Sequence, residues 1–287
     1  MRSMNVRPAG AILLLAAGSI WAASAALARS SVRRDDGGAA SVSVASVSVA
    51  STSVASMRIQ EGNTPYDGRF TFVRLRYGAA GLTGQSFRGR RGRGRQPGWA
   101  HDYPRAERNF MNILRETTLI EPYMDGGNIF DMDDPELTRF PLAYLSEPGM
   151  WYPSESEVEG LRNYLLKGGF LIADDFNGRD WLNFDEQMKK VIPGAEFVVL
   201  DETHEIFDSF FRIESLKTLA SPTFRVVPEY LGLFEDNDLA KRLVVIANYN
   251  NDIGEYWEFS DVGWYPIDLS NEAYKLGVNY VIYAMTH

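Results

Sequence analysis

The sequence predicts an α/β fold built on a mostly parallel sheet with helices on both faces. Three observations lead there. Runs such as Phe170-Leu-Ile-Ala173 and Leu243-Val-Val-Ile-Ala247 are continuously apolar and short, as expected of strands buried on both sides. Segments of helical periodicity alternate with these runs. One of those segments, Ser154 to Lys167, carries complete start and stop signals.

The chain opens on a signal-peptide pattern over residues 1–28. Arg2 and Arg7, with no acid nearby, precede an apolar run from Ala9 to Ala26, and Ala26-Leu27-Ala28 puts small residues at the positions a signal peptidase reads. The alternative is a retained anchor. A span needs about 20 predominantly apolar residues, whereas this run is shorter and rich in Ala, Gly and Ser. The expected location is therefore periplasmic or secreted, with no stable membrane span after cleavage. Residues 29–68 read as a low-complexity linker. Ala, Ser and Val bury too little area to offset the entropy of ordering, so deleting this stretch is expected to leave stability unchanged. The α/β domain occupies residues 69–287.

Within that domain Phe70 to Tyr77 alternates apolar and polar residues as a strand does, and Gly78 to Pro104 is a long loop. Arg105 to Thr117 is a helix with Ala106, Phe110, Ile113 and Leu114 on one face. Pro141 to Leu145 is a short buried strand. Ser154 and Glu157 form a capping box for the next helix, which ends at Gly168. Gly169 to Ala173 is a strand ending at Asp174-Asp175. Trp181 to Ile192 is a helix stopped by Pro193-Gly194. Glu196 to Leu200 and Leu243 to Ala247 are strands, and Asn271 to the C-terminus is a helix.

Composition narrows the chemistry. The 287 residues are 45% hydrophobic and 13% aromatic, which supports a full core, and the net charge of −9 argues against nucleic acid as a partner. With no cysteine there is no disulfide, thiolate metal site or cysteine nucleophile. Phosphate-binding glycine loops are absent. No metal site or cofactor is expected: the stretch Asp174, Asp175, Asn177, Asp180 fails the EF-hand spacing, since Asn177-Gly178 would put Ala173 first and Phe184 twelfth. The alternating arginines and glycines of residues 88–95 read as a solvated loop or a patch for an anionic partner.

Ligands on parallel sheets sit beyond the carboxyl ends of strands. The candidates there are Ser146, Glu147 and Gly149 after one strand, Asp174, Asp175 and Asn177 after the next, and Asn248, Asn250, Asn251 and Asp252 after a third. Asp174 and Asp175 serve either a site or a turn cap. His204, flanked by Asp201, Glu202 and Glu205, is either a general acid or base of raised pKa or a loop histidine. Tyr144-Leu-Ser-Glu-Pro148 lacks a nucleophile elbow. The expected ligand cleft is lined by Asp102, Tyr103, Asp175 and Asn177, with Trp99, Tyr103 and the arginines of residues 88–95 folding over the opening.

Several stretches together resemble a bacterial domain-of-unknown-function family, number four-one-five-nine: Phe70 to Tyr77, Trp99-Ala-His-Asp-Tyr-Pro104, Arg162 to Asp175, His204-Glu-Ile-Phe207 and Asn251-Asp-Ile-Gly254. The resemblance implies a flavodoxin-like sheet similar to class I glutamine amidotransferases, without their cysteine chemistry. It also implies an envelope protein partner, since genes of the family lie near those of membrane-associated ATPases and von Willebrand-type proteins. The expected function is an exported cell-envelope binding or scaffold domain for a protein partner or a polar small ligand. The alternative is a hydrolase-like enzyme using a strand-end aspartate with His204.

Overall fold

The sheet has seven strands in the order β2-β1-β3-β4-β7-β6-β5. They are β1 (Val73–Arg76), β2 (Asn128–Asp131), β3 (Leu142–Ser146), β4 (Phe170–Phe176), β5 (Val198–Val199), β6 (Glu229–Phe234) and β7 (Leu243–Tyr249). The computed structural model describes residues 62–78, 97–221, 223–224 and 226–287; the expected signal peptide, most of the expected linker and the arginine–glycine run 88–95 lie outside them. β1 to β4 and β7 are mutually parallel, while β6 runs antiparallel to β7 and β5 antiparallel to β6. The fold is thus α/β and flavodoxin-like, as the sequence predicts. Five parallel strands deliver their carboxyl ends to one edge of the sheet.

Alternation along each strand sends successive side chains to opposite faces. Leu142 and Tyr144 join one core cluster, and Ala143 and Leu145 join the other. The first cluster is covered by α1 (Arg105–Thr117), α4 (Ile253–Phe259) and α5 (Ile267–Thr286), through Phe110, Trp257 and Tyr280 among others. The second is covered by α2 (Glu155–Leu166) and α3 (Asp180–Val191), through Leu161, Leu165, Phe184 and Met188. The capping box at the start of α2 forms as read, with Glu157 N–H donating to the Ser154 hydroxyl and Ser154 N–H to the Glu157 carboxylate. Among the described residues no helix is long and apolar enough to cross a membrane.

Three expectations change. The strand at 196–200 shrinks to the two residues of β5, an exposed antiparallel edge. β2 and β6 are additional strands. The ordered domain also begins before residue 69. Asn63 and Thr64 exchange hydrogen bonds with Asn128 and Ile129 of β2, and the Tyr66 ring packs edge-on against Phe140 at 5.5 Å. Polar side chains that complete an edge strand can order a segment that composition alone assigns to a linker.

Candidate functional site

The carboxyl edge gathers acids on strained backbone. Asp102, Glu147, Asp175 and Asn250 all have positive φ, between 47° and 64°. Glu147 follows β3, Asp175 falls within the last turn of β4, and Asn250 follows β7. Non-glycine residues rarely adopt this region, and it persists where surrounding structure over-determines it.

Two of these backbone turns are held by buried side chains. Arg74 of β1 is buried and ion-paired with Glu107 of α1. It also donates to the carbonyls of Trp99 (2.9 Å) and His101 (2.8 Å), which fixes the loop carrying His101 and Asp102. The Tyr77 hydroxyl donates to the carbonyls of Ser146 and Glu147, fixing the turn after β3. Two glycines leave space for carboxylates. A Cβ on Gly98 would lie 2.6 Å from Glu147 Oε2, and one on Gly254 would lie 2.7 Å from Asp102 Oδ2.

The adjacent pair Asp174-Asp175 divides its labour, because a pleated strand cannot point both side chains one way. Asp174 turns into the fold. It is fully buried and accepts hydrogen bonds from Tyr144 Oη (2.7 Å), Asn248 Nδ2 (3.0 Å) and the backbone N–H groups of Ile253 and Gly254 at the start of α4. Burial raises its pKa to about 6. Asp175 turns to the edge, where its Oδ2 lies 2.9 Å from His101 Nδ1; Asp102 Oδ1 lies 3.2 Å from the same nitrogen. Neither approach has hydrogen-bond alignment. His101 Nδ1 and Asp175 Oδ2 are buried without an aligned hydrogen bond and meet as an ion pair.

The electrostatics of the edge follow from this crowding. Burial opposes charge on His101, but Asp102 and Asp175 outweigh it and hold the imidazole protonated far above the usual histidine range. Burial, reinforced by the Asp175 charge, pushes the Glu147 carboxyl up to about 8. Burial, then Asp175 and Asp102, raises the Asp252 carboxyl well above its ordinary value, and burial and Asp102 raise Glu255. Asp102 itself is held low: burial opposes ionisation, and His101 and Arg74 overcome it. Asp102 is thus offset by both His101 and Arg74, and Glu147, Asp252 and Glu255 keep their protons to higher pH than ordinary carboxyls. His101, Glu147 and Asp175 each offer one donor atom, all within 4.8 Å of one another; so do His101, Asp102 and Glu255.

The structure brings together two of the four expected ligand residues, Asp102 and Asp175, by way of His101. Tyr103 is not a lid: its ring is buried in the core, 5.9 Å from the Arg74 guanidinium, and Trp99 is buried in the same cluster. Asn177 sits in the turn before α3, where its N–H makes a long contact to Asp180 (3.5 Å). His204 does not meet either aspartate. Its Nδ1 accepts from Ile206 N–H, and its ring packs 5.5 Å from Phe234, the residue opposite Leu243 at the amino end of β7. That is the other edge of the sheet, across a strand about 20 Å long at 3.3 Å per residue. Its pKa is lowered by burial despite Glu205 and Asp201, where the sequence suggested a rise. Ser146 is fully buried, which removes it as an accessible nucleophile.

Sequence reasoning passed over His101 and gave no role to Glu147. Glu147 stood among the strand-end residues. His101 stood beside Asp102 in the Trp99–Pro104 stretch, but only the Arg74 clamp brings its ring to the β4 edge. A family described as a domain of unknown function (DUF4159) matches residues 71–285. No curated protein matches the chain.

Proposed function

This chain belongs to that domain-of-unknown-function family, and from its carboxyl-edge cluster we propose that it is the binding domain of an exported cell-envelope protein, receiving a cationic group of its ligand or partner. The observation that carries this reading is Asp175 Oδ2, buried at the edge without an aligned hydrogen-bond donor although it lies 2.9 Å from His101 Nδ1. A buried carboxylate is costly unless paired and hydrogen-bonded, and a cation at the edge adds to what His101 alone supplies. The pattern of residues 1–28 supports export. A hydrolase-like reading keeps one supporting observation, the positive φ of Asp175 at the end of a buried parallel strand. Its proton-transfer partner would be His101, 2.9 Å away, rather than His204.

Thermal melts at fixed ionic strength test the binding reading. Methylguanidinium or divalent chlorides should raise the midpoint above that in sodium chloride, sodium sulfate should not, and Asp175→Asn should abolish the rise. A variant that responds like the parent protein contradicts the reading.

A further inference from the structure

The geometry points to a single divalent transition-metal ion as the cation, held by His101, Glu147 and Asp175, an inference that rests on the cationic-ligand reading. These three side chains come from three separate segments, and each offers one ligand atom within 4.8 Å of the others. Ligands around one ion at about 2.0–2.2 Å stand roughly 3–3.5 Å apart, so small side-chain adjustments close the set, and the ion takes the place of the imidazole proton, which leaves to solvent. The second observation is the buried acid. Asp175 is 8% exposed, and its Oδ2, 2.9 Å from His101 Nδ1, lacks an aligned hydrogen-bond donor. The imidazole edge is open, its side chain 36% exposed, which gives an ion a path from solvent.

The donor set selects the class of ion. One imidazole nitrogen with two carboxylates suits zinc, manganese or iron, whereas calcium and magnesium take oxygen-only shells. The alternative set of His101, Asp102 and Glu255 is less free, because Glu255 Oε1 already accepts from the Tyr265 hydroxyl at 2.7 Å. Asp102 Oδ1 approaches the same His101 nitrogen as Asp175 Oδ2, at 3.2 Å against 2.9 Å, and adds negative charge beside the ion.

The test uses the full chain, stripped with a chelator, desalted, and titrated calorimetrically with zinc chloride, magnesium chloride and methylguanidinium chloride in separate runs. Zinc is expected to bind at one ion per chain, about 100-fold more tightly than magnesium. Glu147→Gln and Asp175→Asn should each weaken zinc by at least about tenfold, and His101→Gln should remove the preference over magnesium. Circular dichroism melts of the variants confirm folding. Zinc binding that survives all three substitutions overturns the site. Methylguanidinium binding with zinc no tighter than magnesium overturns the metal and leaves the cationic-ligand reading standing. No binding by any of the three overturns both.

Discussion

Asp174 and Asp175 are neighbours with opposite consequences on substitution. Asp174 accepts from Tyr144, Asn248 and two α4 N–H groups, so Asp174→Ala strands several buried donors. It should lower unfolding free energy by roughly 3 kcal/mol in urea titrations. Asp175→Asn keeps a residue type that tolerates positive φ and removes one of the two carboxylates that face His101. Its urea midpoint should fall much less than that of Asp174→Ala, since Asp102 still pairs with the imidazole, while the cation response disappears. Equal losses from both variants would show that Asp175 also serves the fold. Asp175 was legible in the sequence because strand-end acids follow from the pattern of apolar runs. The role of Asp174 was not, since Tyr144, Asn248 and Gly254 meet it only in three dimensions. His204 misled for the same reason: its acidic neighbours are sequential, while burial lowers its pKa and the fold sets its ring near Phe234 and Tyr283.

At the scale of elements, the continuous apolar runs identify β3, β4 and β7 because both faces of a central parallel strand are covered. β6 escaped notice because Gly232 interrupts Glu229–Phe234; a Cβ there would lie 2.6 Å from Leu243 Cδ1, so the gap in the pattern is a packing requirement. The linker boundary escaped because Asn63 and Thr64 act through hydrogen bonds to β2, which composition does not record. Truncation to residue 62 is expected to leave the melting midpoint unchanged, whereas truncation to residue 69 should lose about 1–2 kcal/mol, the worth of a few hydrogen bonds and one aromatic contact. Equal midpoints for the two truncations would show that this segment adds nothing. Arg74 links elements in a different way, joining β1, α1 and the His101 loop. Arg74→Met leaves Glu107 buried without its partner and should cost about 3–5 kcal/mol; denaturation monitored by tryptophan fluorescence reads it.

For the whole molecule, the acid-rich edge sets the response to pH. Glu147 at about 8, Asp174 at about 6 and Asp252 are raised above their unfolded values. Between the unfolded and folded values the native state holds more protons, so stability falls as pH rises. His101, raised as well, acts in the same direction above its unfolded value of about 6.5. Asp102, held low, matters only in acid, where its contribution is lost as pH falls. With chelator present, urea midpoints should therefore decline from pH 5 to pH 8, and a bound cation should flatten the decline. A chelated protein that grows more stable over that interval would contradict the charge distribution described here. The central claim is that a cation occupies the carboxyl edge, and the chain's three histidines make it directly measurable. In histidine-selective NMR of the full chain during a cation titration, the His101 resonances, assigned with His101→Gln, should shift while those of His204 and His287 stay in place. A titration that moves His204 or leaves all three unmoved would place the ligand elsewhere or deny it.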